Sequence, residues 1–471
     1  QECKASLITS SCTKKSILID NCDNFVTKLE DMINICKTPR YGPVHLDICK
    51  DIFTQTIDKK DTFKQLYKFQ KNKIFPYRLQ TNLIDPLKII DIIPDIYNRI
   101  LESKKPVIIV GAGAKKNYKL LRELSCKYQI PVVSTLHGLG TMDDENPLCL
   151  KMLGMHGTFQ ANKAVQEADL IIGIGNRFDD RTIGNKNTFG INAIKNYGII
   201  HVDNSIKQLK LVHGIIKTLP VHSHVIYFIL LLLHHNNQYI YDGSKNPWLN
   251  EIELYKKKYT IKKKNKLTTN LIIQKLSDKL RDQSDYIITT GVGEHQMAFA
   301  HYFTHRHPNK ILSSGSLGTM GVGLPFAIGA QLANPKSKVI LIDGDGSFGM
   351  SLNDIATIKE YNLPIKIILI NNKKLGMVDM WQNKFYDGRK AGSSFNYNIP
   401  FQDLMESYKI PSLLCNDTDK IDLYLDILIN YKESLFLEFL VEPVSNLPFV
   451  PSNTSIDKMI ISNERINTKK F

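Results

Sequence analysis

Short, continuous apolar runs alternate with helical patterns through most of this 471-residue chain. Examples are "PVIIVGAG" (106–113), "LIIGIG" (170–175), "KVILIDGDG" (338–346) and "PIKIILINN" (364–372). A run that is apolar at every position is typical of a strand buried on both faces. Such strands, separated by helices, form parallel sheets with helices on both sides. The chain is therefore predicted to have an α/β fold built from doubly wound parallel-sheet domains.

The length, about three times that of a typical domain of ~150 residues, predicts three units. The predicted partition is a short first part (1–58), a polar linker (59–85), an alternating unit (86–236), a basic linker (237–266) and a second alternating unit (267–471). In the first part a helix at 24–37 precedes a strand at 42–48. Because the strand predicted at 42–48 comes so late in this part, we predict that the part is the end of a domain whose beginning is absent. A chain that starts at Gln1 is therefore expected to be a fragment of a longer product.

Composition excludes several classes of protein. With 43% hydrophobic and 23% charged residues, the chain is predicted to be globular rather than disordered. The net charge of +15 could indicate a nucleic-acid partner. However, the lysine runs at 255–266 lie in the predicted linker and lack interleaved aromatic residues that would stack on bases. No nucleic-acid partner is expected.

The cysteines and the longest apolar run bear on the compartment. None of the eight cysteines forms a C-x-x-C pair, so reduced thiols in an intracellular protein are predicted rather than a zinc site or a disulfide framework. The run from Val225 to Leu233 is far shorter than the ~20 residues that cross a bilayer, and it predicts a buried helix. No membrane partner is expected, and the predicted location is the cytoplasm, with the plastid stroma as an alternative.

Polar side chains follow two consecutive predicted strands at the point where each strand ends. "DGDG" (343–346) follows one strand and Asn371-Asn372 the next, with Asn372 placed 27 residues after Asp345. One βαβ unit of ~30 residues fits this spacing and brings both turns to the same sheet edge. Carboxylate and carboxamide oxygens are ligands for Mg²⁺ on phosphates, and glycines let the backbone approach an anion. Either turn alone could be structural; together they predict a metal-bridged diphosphate site.

The motifs around this pair resemble a known family. The pattern of GDG followed by NN is similar to the diphosphate anchor of thiamine diphosphate enzymes. Six further stretches resemble the catalytic large subunit of acetolactate synthase, also called acetohydroxyacid synthase: "TLHGLG" (135–140), "LGMHGT" (153–158), "GNRFDDR" (175–181), "GVGEHQM" (291–297), "SGSLGTMGVGLPFAIGA" (314–330) and "NNKKLGMVDMWQNKFY" (371–386). The resemblance covers nearly the whole chain and implies pyrimidine-binding, central FAD-binding and diphosphate-binding domains, the first of them incomplete.

The resemblance implies three cofactors: thiamine diphosphate, Mg²⁺ and FAD. The implied metal ligands are Asp345, Asn372 and the backbone carbonyl of Lys374. The implied thiamine diphosphate contacts are Gly293, Glu294, His295, Gly318, Met320, Gly346, Ser347, Gly376, Met377 and Val378. The implied FAD contacts are Arg78, Gly111, Ala112, Gly113, Thr135, Leu136, Leu153, Gly154, Met155, His156, Gly175, Asn176, Arg177, Phe178, Asp179, Arg181 and Asp203.

Four residues are expected to serve catalysis by the same resemblance. Gln1 matches a position late in the first domain, Met320 the apolar wedge that holds the cofactor bent, and Arg181 and Trp381 the substrate channel. The family's glutamate that acts on the pyrimidine is expected in the part preceding Gln1. Glu294 stands where the family usually has Gln, beside the expected diphosphate.

The implied activity is that of an acetolactate synthase. Such an enzyme decarboxylates pyruvate and joins the two-carbon product to pyruvate or 2-ketobutyrate, in the first common step of valine, leucine and isoleucine synthesis. The implied partners are small-molecule 2-ketoacids, a second copy in a homodimer or tetramer, and a regulatory small subunit. The alternatives are glyoxylate carboligase, pyruvate oxidase and a noncatalytic cofactor-binding subunit.

Overall fold

The computed structural model describes residues 3–22, 25–55, 86–236, 238–258, 266–397, 399–442 and 447–461, which form two compact units. The first unit holds the described residues up to Lys88 together with Asn204–Lys207. Its elements are α1 (Ala5–Ser10), β1 (Lys15–Ile19), α2 (Phe25–Cys36), β2 (Val44–Ile48) and a 3₁₀ turn at Lys50–Thr54. The two strands pair in parallel, with Lys15 opposite Val44. The predicted linker at 59–85 lies outside the described residues.

The second unit, which holds the rest of the described chain, contains two six-stranded parallel sheets. The strands of the central sheet are β3 (Pro106–Val110), β4 (Val132–Ser134), β5 (Cys149–Met152), β6 (Leu170–Ile174), β7 (Gly198–Asp203) and β8 (Leu219–His222). Their spatial order is β5-β4-β3-β6-β7-β8, and every pair is parallel. Alternate residues of β3 enter two hydrophobic cores, Ile108 and Val110 on one face and Val107 and Ile109 on the other. The predicted two-faced burial is confirmed.

Eight helices accompany the central sheet among the described residues. They are α3 (Pro86–Glu102), α4 (Tyr118–Tyr128), α5 (Phe159–Glu167), α6 (Asp180–Ile183), α7 (Ile191–Lys195), α8 (Ile206–His213), α9 (Val225–His235) and α10 (Asn246–Lys258), with 3₁₀ turns at Ala112–Asn117 and Leu136–Gly138. The prediction of a linker over 237–266 is wrong where α10 lies. Trp248 and Ile252 are buried in the core of the central sheet, and the Trp248 indole donates to the Pro106 carbonyl at 3.3 Å.

The second sheet of this unit, the C-terminal sheet, repeats the arrangement. Its strands are β9 (Tyr286–Thr290), β10 (Ile311–Ser313), β11 (Lys338–Gly344), β12 (Lys366–Asn371), β13 (Ser412–Cys415) and β14 (Leu435–Leu440). Its helices are α11 (Thr269–Lys279), α12 (Glu294–Tyr302), α13 (Gly323–Ala333), α14 (Asp345–Phe348), α15 (Ile355–Glu360), α16 (Gly376–Phe385), α17 (Phe401–Ser407) and α18 (Ile421–Asn430), with 3₁₀ turns at Pro308–Lys310, Gly349–Asp354 and Thr418–Lys420. The strand order is β10-β9-β11-β12-β14-β13, all parallel.

The glycine-rich stretch 314–330 is helical only in its second half. α13 begins at Gly323. Gly318 and Gly321 have φ angles of 66° and 78°, in the left-handed region that breaks a right-handed helix. Residues 316–319 form an exposed loop instead. Among the described residues, no helix is both long and apolar enough to cross a membrane.

Candidate active site

Asp345 and Asn372 follow neighbouring strands of the C-terminal sheet. β11 and β12 pair in parallel with Gly344 opposite Ile370, Asp345 comes directly after β11, and Asn372 directly after β12. Both side chains therefore lie at one edge, as the sequence predicted. They line a cleft that is open to solvent. The residues lining this cleft are Thr269, Val292, Gly293, Glu294, His295, Met320, Gly344, Asp345, Gly346, Ser347, Ile370, Asn372, Lys374, Leu375, Gly376, Met377 and Val378.

The cleft gathers nearly every residue that the sequence assigned to thiamine diphosphate and Mg²⁺. The exception is Gly318, which lies on the exposed loop 316–319 and not in the cleft lining. Met320, just beyond that loop, does line the cleft. The predicted Gln1 and Arg78 lie outside the described residues. Four segments separated along the chain thus meet at one edge of the C-terminal sheet.

The Asp345 carboxyl is buried, with 6% of the residue exposed. Burial raises the pKa of this carboxyl to about 6, against the opposing effect of backbone N–H groups of Gly346 and Lys373 and of nearby His295. A divalent cation at the carboxylate would favour its ionised form. The electrostatics of Asp345 therefore suit a metal ligand better than a solvated surface acid.

At two glycines around the cleft, neighbouring side chains fill the space that a β-carbon would take. A β-carbon on Gly346 would lie 2.7 Å from Leu375 Cδ2, and one on Gly376 would clash with Glu294 Oε2 and lie 3.0 Å from Asn372 Nδ2. Gly376 is the first residue of α16, whose N-terminus presents backbone N–H groups without helical partners. Such an end attracts anions. The Glu294 carboxylate is the anionic group beside it.

His295 and Asp343 form a buried pair behind the cleft that sequence reasoning did not connect. His295 Nε2 lies 3.3 Å from Asp343 Oδ1, although the angle does not suit a hydrogen bond. The Gly344 N–H donates to the same oxygen at 2.9 Å, and β-carbons on Gly291 or Gly323 would collide with the carboxylate. The sequence feature that could have indicated this pair is the double Asp of "DGDG". Asp343, the first, is buried, and Asp345, the second, lines the cleft.

The oxygen groups of the cleft fit a magnesium diphosphate. Among the described residues, no cluster of three or more His, Cys, Asp or Glu side chains could hold a metal by itself. Asp345, Asn372 and the Lys374 carbonyl supply one charged and two neutral oxygens. Mg²⁺ in proteins is commonly held by one or two carboxylates and completed by phosphate oxygens. The cleft thus has the donor set of an ion that arrives with its diphosphate.

A second group of predicted residues lines the carboxyl edge of the central sheet. Gly111 and Gly113 follow β3, and Gly175 follows β6, the neighbouring strand. A β-carbon on Gly113 would lie 2.8 Å from Gly175 Cα, and the Gly113 N–H donates to the Gly175 carbonyl at 3.2 Å. These glycines let the two turns touch. Asp203, another predicted FAD residue, is the last residue of β7. The other predicted FAD residues of this edge follow β4, β5 or β6: Thr135, Leu136, Leu153, Gly154, Met155, His156, Asn176, Arg177, Phe178 and Asp179.

Some of these side chains already have structural roles. Phe178 is 2% exposed and packs against Phe189 and His201, so only its backbone could contact a ligand. Asp179 caps α6 by accepting from the Thr182 N–H at 3.1 Å. By contrast, the buried Asn176 Nδ2 has no hydrogen-bond partner among the described residues. A buried donor of this kind would be satisfied by a polar ligand at the edge, which fits the predicted flavin site.

Arg181 and Trp381 are connected through the segment 447–461. The exposed Arg181 guanidinium lies 2.9 Å from Met155 Sδ, and the Met155 carbonyl accepts from the Val450 N–H at 2.8 Å. The neighbouring Phe449 packs on Trp381, with ring centroids 5.6 Å apart. The predicted channel residues thus flank one segment, and Phe449 was not predicted because a single phenylalanine carries no motif.

Four cleft residues were also absent from the prediction: Thr269, Val292, Ile370 and Leu375. Val292 and Leu375 adjoin predicted residues, so position next to a motif was an available signal. Thr269, the first residue of α11, had none. Its place in the cleft depends on the packing of α11 against α12.

Two models of known families match the chain. One, described as thiamine pyrophosphate enzyme, central domain, matches residues 93–225. The other, described as thiamine pyrophosphate enzyme, C-terminal TPP binding domain, matches residues 291–439. The second match contains most of the cleft, including Asp345 and Asn372.

Several relatives are similar over nearly the whole chain. The mitochondrial acetolactate synthase catalytic subunit of Saccharomyces cerevisiae is 34% identical over 98% of this chain and 68% of its own length. The acetolactate synthase large subunit of Lactococcus lactis is 34% identical over 98% of this chain and 77% of its own. The chloroplastic acetolactate synthase 1 of Zea mays is 31% identical over 98% of this chain and 71% of its own. The chain therefore belongs to the acetolactate synthase catalytic-subunit family, the thiamine diphosphate enzymes that begin branched-chain amino-acid synthesis.

Proposed function

We propose that the cleft at the ends of β11 and β12 binds the diphosphate of thiamine diphosphate through Mg²⁺. The proposed metal ligands are the Asp345 carboxylate, the Asn372 carboxamide oxygen and the Lys374 carbonyl. The observation that carries the proposal is that Asp345 and Asn372 follow adjacent parallel strands and line one cleft. The first turn of α16, at Gly376, adds backbone N–H groups for the phosphate oxygens.

The chemistry of the reaction divides between cofactor and chain. When bound, thiamine diphosphate supplies the electron sink that the decarboxylation of a 2-ketoacid requires. The chain binds and orients it: Met320, Ile370 and Met377 give the cleft apolar walls, between which a bound cofactor would displace water. Excluding water strengthens each electrostatic contact to the diphosphate.

The function of the family is the decarboxylation of pyruvate and the addition of the two-carbon product to a second 2-ketoacid. For this chain we propose that the Arg181 guanidinium binds the ketoacid carboxylate and that Trp381 contacts its alkyl group. Support comes from the exposure of Arg181 and from the connection of both residues through Met155 and Phe449. FAD at the edge of the central sheet is proposed to order the site without a redox cycle.

The relatives are named catalytic or large subunits, which implies assembly with other subunits. The proposed assembly is a homodimer or tetramer with a regulatory small subunit. The proposed compartment is the cytoplasm or a plastid; the maize relative is named chloroplastic.

The experiment that tests the proposal compares Asp345→Ala with a neighbouring control, Asp354→Ala, which does not line the cleft. Titration calorimetry with thiamine diphosphate and excess Mg²⁺ should show binding by the native chain and the control and none by Asp345→Ala, because the charged metal ligand is removed. Unchanged affinity in Asp345→Ala would contradict the assignment. Oxygen uptake stoichiometric with pyruvate consumption would favour a pyruvate oxidase instead.

A further inference from the structure

The loop that follows β12 is held by a second segment of the chain. We call residues 372–376 the cofactor loop and residues 390–395 the strap. The two pair in antiparallel fashion: the Leu375 N–H donates to the Ser393 carbonyl at 2.9 Å, and the Phe395 N–H donates to the Lys373 carbonyl at 3.0 Å. The strap therefore fixes the backbone on both sides of Lys374, whose carbonyl is a proposed metal ligand.

One buried carboxylate joins these two segments. Asp379 lies in the first turn of α16 and is 5% exposed. Its Oδ1 lies 2.7 Å from Lys390 Nζ, on the strap, and 3.3 Å from Lys374 Nζ, on the cofactor loop. The Lys390 ammonium also donates to the Asp379 carbonyl at 2.9 Å, and Asn383 Nδ2 donates to Asp379 Oδ2 at 2.9 Å. Two cations from different segments thus share one anion.

The cofactor loop needs such support because its backbone is strained. Lys373 has a φ angle of 56°, in the left-handed region that residues other than glycine rarely occupy. Such a conformation persists only when surrounding contacts impose it. Within the loop, the Lys374 N–H donates to Asn372 Oδ1 at 3.0 Å, so the backbone at Lys374 and the Asn372 carboxamide are coupled. A displacement of Lys374 would move two proposed metal ligands together.

We propose that Asp379 is a positioning residue for the cofactor: its ion pairs with Lys374 and Lys390 hold the cofactor loop in the geometry that binds Mg²⁺ and diphosphate. This inference rests on the proposed function of the cleft. Asp379 itself does not line the cleft, so it acts through the loop. An acidic residue in the first turn would stabilise α16 in any case. Its ion pairs with two separate segments, the cofactor loop and the strap, are what a purely helical role leaves unexplained.

Removing the carboxylate has a predictable consequence. Asp379→Asn keeps the shape of the side chain but leaves two ammonium groups facing a neutral amide, so Lys374 and Lys390 repel each other. The loop and strap then lose their common anchor. Cofactor affinity should fall, while the reaction of cofactor that has bound should change little, because Asp379 contacts neither substrate nor cofactor.

The test uses the full chain and three variants: Asp379→Asn, Lys390→Met and, as a matched control, Asp426→Asn. Asp426 pairs with Lys279 at 2.7 Å and does not line the cleft, so the control loses an exposed Lys–Asp ion pair elsewhere. Calorimetry with thiamine diphosphate at excess Mg²⁺ should give a dissociation constant at least about tenfold higher for Asp379→Asn and Lys390→Met, and an unchanged value for the control. In activity assays of these two variants, the apparent affinity for the cofactor should fall while the KM for pyruvate stays constant.

The outcomes separate this inference from the proposed function. If the native chain binds no thiamine diphosphate, both are overturned. If it binds and both variants bind equally well, only the role of Asp379 is overturned. Lys390→Met keeps the test decisive if Asp379→Asn does not fold, since Lys390 is partly exposed and only the strap contact is lost. The double variant combines Asp379→Asn with Lys390→Met. If it binds the cofactor no more weakly than Asp379→Asn alone, the result supports a shared ion pair.

Discussion

The Glu294 side chain occupies the space that a β-carbon on Gly376 would need, at the start of α16. Glu294 is the first residue of α12, and its carboxylate thereby reaches the helix end proposed to bind diphosphate. Two anions cannot share this position without repulsion. We therefore expect the Glu294 carboxylate to compete with the diphosphate for this helix end.

Glu294→Gln should tighten the binding of thiamine diphosphate, because a neutral amide of the same size removes the repulsion. Two charges about 4 Å apart in a solvated site interact by about 1 kcal/mol, which corresponds to roughly fivefold in affinity. Calorimetry with inorganic pyrophosphate and Mg²⁺ isolates the effect on the diphosphate. Glu360→Gln, an exposed residue of α15, is the control. Equal or weaker binding by Glu294→Gln would contradict the competition.

Gly376→Ala should weaken cofactor binding by more than about tenfold, because the new methyl group collides with Glu294 and crowds Asn372. Gly329→Ala is the matched control, since Gly329 lies inside α13 and has no atom within 4 Å of the position of the new carbon. The control should be stabilised by roughly 0.5–1 kcal/mol through helix propensity. Cofactor titrations and urea unfolding of both variants check these expectations. Normal binding by Gly376→Ala would show that the loop can move aside.

The stability of the second unit should fall between pH 6.5 and pH 4. Burial lowers the pKa values of His156, His301 and His305 to about 4, from about 6.5 in an unfolded chain. The folded state therefore keeps these rings neutral while the unfolded state takes up protons, so the stabilisation is complete above pH 6.5 and is lost as the pH falls through this window. Each histidine contributes up to roughly 3 kcal/mol.

Urea unfolding followed at several pH values measures this dependence. His305→Gln should reduce the slope of the free energy of unfolding against pH, whereas His234→Gln, at an exposed position, should leave it unchanged. A slope that is the same in His305→Gln and the native chain would argue against the neutral buried ring.

Tyr255→Phe should destabilise the chain by roughly 1.5–3 kcal/mol. The Tyr255 hydroxyl contacts the carboxylates of Glu167 and Glu251, and it thereby ties α10 to α5. Hydrogen bonds to charged groups contribute about this much. Thermal unfolding would measure the loss, with Tyr361→Phe, exposed at the end of α15, as the control. Equal melting temperatures would indicate that α10 is only loosely attached to the central sheet.

The sequence alone predicted the sheets and the placement of Asp345 and Asn372. Both follow from local patterns: continuous apolar runs specify strands buried on both faces, and neighbouring parallel strands end at one edge. The glycine turns at the edge of the central sheet were implied by the family resemblance and not by local pattern. The prediction from local sequence pattern was wrong in the predicted basic linker, where tertiary packing forms a helix. The lysines of 255–266 suggested a linker, but Trp248 and Ile252 draw α10 into a core.

Only the tertiary structure decided which distant segments meet at the cleft. Nothing in "GVGEHQM" indicates that Glu294 reaches Gly376, and nothing in "GRKAGSS" indicates that Lys390 pairs with Asp379. These contacts depend on how α12 and the strap pack against α16, and packing is set by the whole set of interdigitating side chains rather than by a short repeat. The sequence therefore determined the chemical groups at the ends of the strands, and the tertiary structure determined which charges surround them.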